Sequence, residues 1–92
     1  MVIISQDKTM ILNFEYIETI EIGNPLENND GKFKILCDTT SDNQYTIAEY
    51  ETEERAKEVL QEIINKYKIT LYNSRTNETV VNVPKVYEMP KK

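Results

Sequence analysis

The chain has 92 residues, 39% of them hydrophobic and 29% charged, which is enough apolar side chain for one hydrophobic core and too much for a disordered tail. Its net charge of −5 is unlike the dense basic patch that binds nucleic-acid backbones, and its apolar runs are too short to span a bilayer. We therefore expect one domain over residues 1–92, located in the cytoplasm because no secretory signal is recognisable, with neither nucleic acid nor a membrane as partner.

Two hairpins are predicted in the first part of the chain. Residues 1–5 and 9–14 are apolar segments on either side of a short polar turn, which is typical of a hairpin. Residues 32–38 alternate apolar and polar side chains, and after a second polar turn residues 45–50 resume a strand pattern. These two segments predict the second hairpin.

A further strand and a loop are predicted between the hairpins. Residues 16–22 end in an alternation of polar and apolar side chains, which is the period of a half-buried strand. Residues 23–31 contain two glycines, one proline and three asparagines. All three residue types favour turns, so this segment is predicted to be a loop and the most flexible part of the chain.

One amphipathic helix is predicted over about residues 52–68. Thr52 is a suitable N-cap because its hydroxyl can accept a hydrogen bond from an early backbone N–H, and the next two residues are glutamates, which favour the positive end of a helix dipole. An apolar stripe at spacings of three and four is expected to face the sheet, and it consists of Ala56, Val59, Leu60, Ile63, Ile64 and Tyr67.

The remaining residues leave alternatives open. Residues 69–72 fit either a continued helix or a strand. Residues 79–87 favour a last strand, which Pro84 either places at a sheet edge or interrupts, since proline lacks an N–H donor. Residues 88–92 are expected to form a loose tail.

The order of these elements predicts the fold class. Several strands followed by one helix and a final strand indicate an α+β fold. We expect an antiparallel sheet of about five to six strands, packed on one face by the single helix.

Short matches to catalytic and calcium-binding motifs lack their essential partners. Residues 5–8 fit S-x-x-K and residues 41–43 fit S-D-N of serine β-lactamases and penicillin-binding proteins, but the K-T-G element is missing. Residues 28–31 resemble the centre of an EF-hand loop, yet that register puts Cys37 where a bidentate glutamate is required. Since the chain has no histidine and this one cysteine is expected in the core, we predict no catalytic residues, no cofactor, no metal site and no enzymatic activity.

Tyrosines and glutamates supply the candidate partner surface. Tyrosine offers a large contact area with a polar tip and is enriched at interfaces, although it is also an ordinary residue of packed strands. The first 31 residues contain one base against six acids. The candidate surface residues are Tyr45, Tyr50, Tyr72, Tyr87, Glu15, Glu18 and Glu21.

Three short segments carry a resemblance to known proteins. They are SQDK at residues 5–8, IAEY-x-TEERA-x-x-VL at residues 47–60, and VYEMP at residues 86–90. In these segments the chain resembles a group of short uncharacterised proteins encoded by low-GC Gram-positive bacteria and their phages or mobile elements. Residues 69–83 exceed the usual length of the group and indicate an insertion. No activity is assigned to the group, so the resemblance implies a genomic setting and no mechanism.

Two classes of function are consistent with these features. The leading hypothesis is a small cytoplasmic adaptor or interaction protein of phage or mobile-element origin, which binds a protein partner or forms a homo-oligomer. One version is an acidic protein that competes with phosphate for the basic groove of a host nucleic-acid enzyme. The alternative is a small-molecule or ion-binding module that uses residues 23–31 and the open face of the sheet.

Overall fold

The strands and the helix occur in the chain order that their residue patterns predict. The computed structural model of the protein describes residues 1–23, 31–76 and 86–92, with helix side chains described as far as Tyr67. Its elements are β1 (Val2–Ile4), β2 (Ile11–Asn13), a 3₁₀ turn (Phe14–Tyr16), β3 (Ile17–Ile22), β4 (Phe33–Thr39), β5 (Gln44–Tyr50), α1 (Glu53–Thr76) and β6 (Val86–Glu88).

The described strands form two three-stranded sheets, which corrects the predicted single sheet of five to six strands within the same α+β class. The first sheet has the order β2-β1-β6 and the second has the order β3-β4-β5. The break between them falls at the 3₁₀ turn, where Asn13 Oδ1 accepts a hydrogen bond from the backbone N–H of Glu15 at 3.0 Å. The 3₁₀ turn with this local bond separates β2 in the first sheet from β3 in the second.

The first sheet contains the first predicted hairpin. β1 and β2 pair antiparallel, with Ile3 opposite Leu12. β6 pairs with the other edge of β1 in parallel, with Ile3 opposite Tyr87, whereas only antiparallel pairing was predicted. A parallel neighbour requires a long crossover connection, and α1 lies in that connection. The predicted last strand is observed at Val86–Glu88, and residues 77–85 lie outside the described part of the chain.

The second sheet contains the second predicted hairpin. β4 alternates as expected, with Ile35 and Cys37 fully buried. The pairing of β4 with β5 shifts after Ile35, and two consecutive residues of β5, Ile47 and Ala48, are buried at this irregularity. β3 pairs antiparallel with the other edge of β4, which is the central strand of this sheet. Most of the predicted loop, residues 24–30, lies outside the described residues.

The helix begins where it was predicted and runs further. The Thr52 hydroxyl accepts a hydrogen bond from the backbone N–H of Arg55 at 3.1 Å, which confirms the N-cap. α1 contacts all three strands of the second sheet. It ends at Thr76 instead of about residue 68, so the helical alternative is the observed one for residues 69–72. The most deeply buried positions of its apolar stripe are Ala56, Val59 and Ile63.

One hydrophobic cluster joins both sheets to the helix. Ile3 and Tyr87 contribute from the first sheet, Ile35 and Ile47 from the second, and Val59 from α1. Each of these side chains is less than one tenth exposed. The two sheets therefore share one core.

The C-terminal residues pack against the first sheet, in contrast to the loose tail that was expected. Met89 is 4% exposed, and its backbone N–H donates to the carbonyl of Ile4 at 3.0 Å. This bond continues the pairing of β6 with β1. The composition of residues 88–92 favours a tail, but the strand that precedes them carries Met89 into the core.

Candidate functional site

The four tyrosines predicted as a partner surface do not lie together on the surface. Tyr50 and Tyr87 are 2% and 7% exposed and belong to the core, which corrects their placement on a partner surface. The alternation of strand side chains turns both rings inward. Tyr45 is half-buried against the core, and the side chain of Tyr72 lies outside the described residues.

The three predicted glutamates share one exposed segment. Glu15 lies in the 3₁₀ turn, and Glu18 and Glu21 lie in β3. The pairing of β3 with β4 shifts between Ile17 and Thr19, so Glu18 lies at an irregularity of the strand. The chain has no base between Lys8 and Lys32, so no basic residue of this segment offsets the three charges.

An open groove with a volume of about 420 Å³ lies between β3 and α1. We call it the β3–α1 groove. Its apolar wall is formed by Phe14, Ile17, Ile20, Leu60, Ile63, Ile64 and Tyr67. Ile64 and Tyr67 are the most exposed of these side chains, at 45% and 38%. Glu18 also lines the groove and brings a negative charge to it.

A pair of aromatic rings lies in the lining of the β3–α1 groove. The ring centroids of Phe14 and Tyr67 are 4.7 Å apart with an interplanar angle of 34°, a separation at which aromatic rings attract one another. Sequence reasoning placed Tyr67 in the buried helix stripe and missed this groove. The sequence carries no local signal for the groove, because its walls come from β3 and α1, which are distant in the chain and meet only through tertiary packing.

A second open groove, with a volume of about 610 Å³, lies where the β1–β2 turn, the end of β5, the start of α1 and the C-terminal residues meet. We call it the basic cleft. Of the described residues, four bases and two acids line it, which are Lys32, Arg55, Lys91, Lys92, Glu49 and Glu51. Lys32 Nζ lies 3.5 Å from Glu49 Oε1 and 3.9 Å from Glu51 Oε1. Both glutamates line the same cleft.

The side chain of Gln6 forms hydrogen bonds with β5 and with the C-terminal residues at the basic cleft. Its Nε2 donates to the carbonyls of Glu49 at 3.0 Å, Pro90 at 3.1 Å and Lys91 at 2.9 Å. Its Oε1 accepts from the backbone N–H of Glu49 at 2.9 Å. Residues of the segments 5–8, 47–60 and 86–90 therefore meet at this cleft.

Arg55 and Tyr50 form the floor of the basic cleft. The Arg55 guanidinium lies 5.9 Å from the centre of the Tyr50 ring, and its Nε donates to the carbonyl of Lys92 at 2.9 Å. The Tyr50 hydroxyl donates to the carbonyl of Pro90 at 2.8 Å. Burial raises the pKa of Tyr50 to about 12, although the positive charge of Arg55 acts in the opposite direction.

Two other buried groups are held in their neutral forms. The Tyr87 hydroxyl donates to Glu62 Oε2 at 2.6 Å, and burial together with this carboxylate raises the pKa of Tyr87. Burial also raises the pKa of the Cys37 thiol, which is fully buried in β4. A thiol with a raised pKa is a poor nucleophile, which agrees with a packing role for Cys37.

The two segments with β-lactamase-like matches form the turns of the hairpins. Ser5 is 2% exposed; its hydroxyl donates to Asp7 at 2.8 Å and accepts from the Met10 N–H at 3.0 Å. In the second turn, the Ser41 hydroxyl accepts from Asn43 Nδ2 at 3.0 Å. Each turn also contains a residue with positive φ, Lys8 at 62° and Asp42 at 64°.

The described residues contain no cluster that could hold a metal ion, and no similar known protein is found. Within residues 1–23, 31–76 and 86–92, no group of three or more His, Cys, Asp or Glu side chains could hold a metal ion. None of the described helical residues form a segment long and apolar enough to cross a membrane. Comparison with protein-family models, with curated proteins and with solved structures finds no match.

Proposed function

We propose that the protein is a small interaction protein that binds a segment of another protein in the β3–α1 groove. The observation that carries this proposal is the groove itself, an apolar concave surface in which Ile64 and Tyr67 are partly exposed. Concave apolar sites with a few polar groups are the usual binding sites of folded domains. A groove beside a helix accepts apolar anchors from a partner segment.

The charge beside the groove defines the chemistry of the partner. Glu18 lines the β3–α1 groove, and Glu15 and Glu21 are exposed on the same segment of chain. A segment whose apolar anchors are flanked by lysine or arginine complements this surface, whereas an acidic segment is repelled. The proposed partner is therefore a basic, amphipathic segment of another protein.

The resemblance supports a more specific form of the proposal. In a cytoplasmic protein of phage or mobile-element origin, the acidic segment would occupy a basic groove of a host nucleic-acid enzyme in place of phosphate. The apolar groove would add contact area that phosphate lacks. This form remains part of the proposal and predicts that charge reversal at Glu15, Glu18 and Glu21 weakens binding.

The alternative function, small-molecule or ion binding through residues 23–31 and the open sheet face, stays a prediction. Residues 24–30 lie outside the described residues. The open face of the second sheet carries polar side chains, and Thr19 donates to Asp38 there at 2.8 Å. The β3–α1 groove offers more apolar contact than this face, so we base the proposed function on the groove.

Selection from a phage-displayed random peptide library on the immobilised full chain tests the proposal. Enriched peptides are expected to combine aromatic or aliphatic residues with lysine or arginine. Binding of a synthetic enriched peptide should weaken roughly tenfold in Ile64→Ser, which removes part of the apolar wall. Glu18→Lys should weaken it by a similar, roughly tenfold factor because it reverses the charge in the groove.

Matched control variants make the same changes on the first sheet. Ile11 is 73% exposed and Glu88 is exposed, so Ile11→Ser and Glu88→Lys should bind the peptide as the wild type does. Peptides without basic residues, or equal binding by the groove variants and the wild type, would contradict the proposal. Light scattering measures whether the protein forms a homo-oligomer. If the wild type is a dimer and Ile64→Ser is a monomer, the groove binds a second copy of the chain and not a different protein.

A further inference from the structure

We propose that the basic cleft binds a small polyanion, a ligand that carries two or more phosphate or carboxylate groups. Among the described residues, the side chains that line it include four bases and two acids, a charge of +2, in a chain whose net charge is −5. A concave site with an excess of one charge raises the local concentration of the opposite charge. The basic cleft is separate from the β3–α1 groove, so this proposal does not depend on the proposed function.

The backbone that carries two of the lysines is fixed before any ligand binds. Gln6 Nε2 donates to the carbonyl of Lys91 at 2.9 Å, and Arg55 Nε donates to the carbonyl of Lys92 at 2.9 Å. The Tyr50 hydroxyl holds the carbonyl of Pro90 at 2.8 Å. Because the main chain is already ordered, a ligand has less conformational freedom to remove when it binds.

The remaining bases present groups that anions can contact. Lys32 forms ion pairs with Glu49 and Glu51, whose side chains are 40% and 84% exposed. Ion pairs with this exposure are weak, so a ligand oxygen can replace a glutamate oxygen at low cost. Arg55 contributes the positive charge of its guanidinium, although its Nη1 already pairs with Glu58 Oε2 at 3.0 Å and its Nε donates to the carbonyl of Lys92.

The cleft favours anionic groups over an aromatic ring. Tyr50 is the aromatic residue of the described lining, and it is 2% exposed beneath the guanidinium of Arg55. Its face is therefore not available to stack on a nucleobase, which is how proteins usually hold the base of a nucleotide or single strand. Recognition rests on the charged groups, which either a phosphorylated compound or a polycarboxylate can supply.

A titration of the isotope-labelled full chain, followed by amide NMR, tests the proposal with pyrophosphate and with citrate as probes. Sodium chloride keeps the ionic strength constant. We expect saturable shifts at the amides of Gln6, Glu51, Arg55 and Lys92, and the probe that binds more tightly identifies a phosphoryl or a carboxylate source. The double variant Lys91→Glu/Lys92→Glu should weaken binding roughly tenfold or more, because both side chains are exposed and the bonds of their backbone carbonyls remain.

Lys66→Glu, a single charge reversal, is the control for non-specific attraction. It makes the same type of charge reversal at an exposed helix position outside the basic cleft. Binding as tight as in the wild type is expected for this variant. The proposal is overturned if neither probe gives saturable shifts below about 10 mM. It is also overturned if Lys66→Glu weakens binding as much as the cleft variant, since the attraction would then be non-specific.

Discussion

At the scale of the residue, the two buried tyrosines combine packing with a hydrogen bond. Tyr50 donates to the carbonyl of Pro90, and Tyr87 donates to the carboxylate of Glu62. A buried hydroxyl without a partner would destabilise the fold, and none of the buried side-chain polar atoms of the described residues lacks one. Both phenols are therefore neutral, hydrogen-bonded parts of the core.

The protonation of these phenols predicts a loss of stability in alkali. Burial raises the pKa of Tyr50 from its ordinary value of 10.0 to about 12, and the pKa of Tyr87 is also raised. Above pH 10.0 the unfolded chain releases phenolic protons that the folded chain keeps, so the free energy of unfolding should fall as the pH rises. The fall should continue until the pH passes the folded-state pKa values. Urea unfolding followed by circular dichroism at a series of pH values measures it.

Substitution of Tyr50 tests how much its buried phenol contributes to the slope of the free energy of unfolding against pH. Tyr50→Phe removes the titrating group and should make the fall shallower, even though it also removes the hydrogen bond to Pro90. Tyr16→Phe is the control variant, since it removes the hydroxyl of a tyrosine that is 60% exposed. Equal slopes in the wild type and in Tyr50→Phe would show that Tyr50 does not contribute.

At the scale of the element, the start of α1 depends on a local signal and its end does not. Thr52 accepts the N–H of Arg55, the third residue of the helix, at 3.1 Å. Such a cap needs only residues adjacent in the chain, so the sequence predicted it. The helix continues to Thr76 without a glycine or proline that would mark its end in the sequence.

Removal of the cap should weaken the helix by a known amount. Thr52→Ala is expected to lower the free energy of unfolding by about 1 kcal/mol, because it leaves an N–H of the first turn without its side-chain acceptor. Thr52→Ser keeps a hydroxyl at the same place and should cost less than about 0.5 kcal/mol. Urea unfolding measures both variants. Equal losses for alanine and serine would mean that the methyl group of Thr52, and not its hydroxyl, matters.

At the scale of the whole molecule, Gln6 connects segments that are far apart in the chain. Its side chain bonds to β5 through Glu49 and to the C-terminal residues through Pro90 and Lys91. Its backbone N–H also donates to the carbonyl of Ile47 at 2.8 Å. One polar residue in the β1–β2 turn thus joins the first sheet to the edge of the second.

Loss of the half-buried Gln6 side chain should destabilise the protein more than loss of an exposed glutamine side chain. Gln6→Ala removes all of its side-chain hydrogen bonds and should lower the free energy of unfolding by about 2–3 kcal/mol. Gln44→Ala is the matched control, since its exposed side chain donates to Asp38 at 3.1 Å, and it should cost about 0.5 kcal/mol. Urea unfolding compares the two. Similar losses would contradict the connecting role of Gln6.

The candidate sites show the same division between local and distant information. The acidic segment with Glu15, Glu18 and Glu21 is exposed as expected, because charged residues on a strand avoid the core. Tyr50 and Tyr87 were predicted on the partner surface but are buried, since tyrosine packs equally well in a core or at an interface. Only the packing around each ring decides between these roles.

The sequence by itself determined the hairpins, the start of the helix and the buried positions Ala56, Val59 and Ile63 of its stripe, because these depend on side-chain periodicity and on contacts between near neighbours. The tertiary structure alone decided that the strands divide into two sheets, that β6 lies parallel to β1 and that Met89 is buried. It also formed the β3–α1 groove and the basic cleft. Both grooves bring together segments distant in the chain, and no local pattern specifies which distant segments meet.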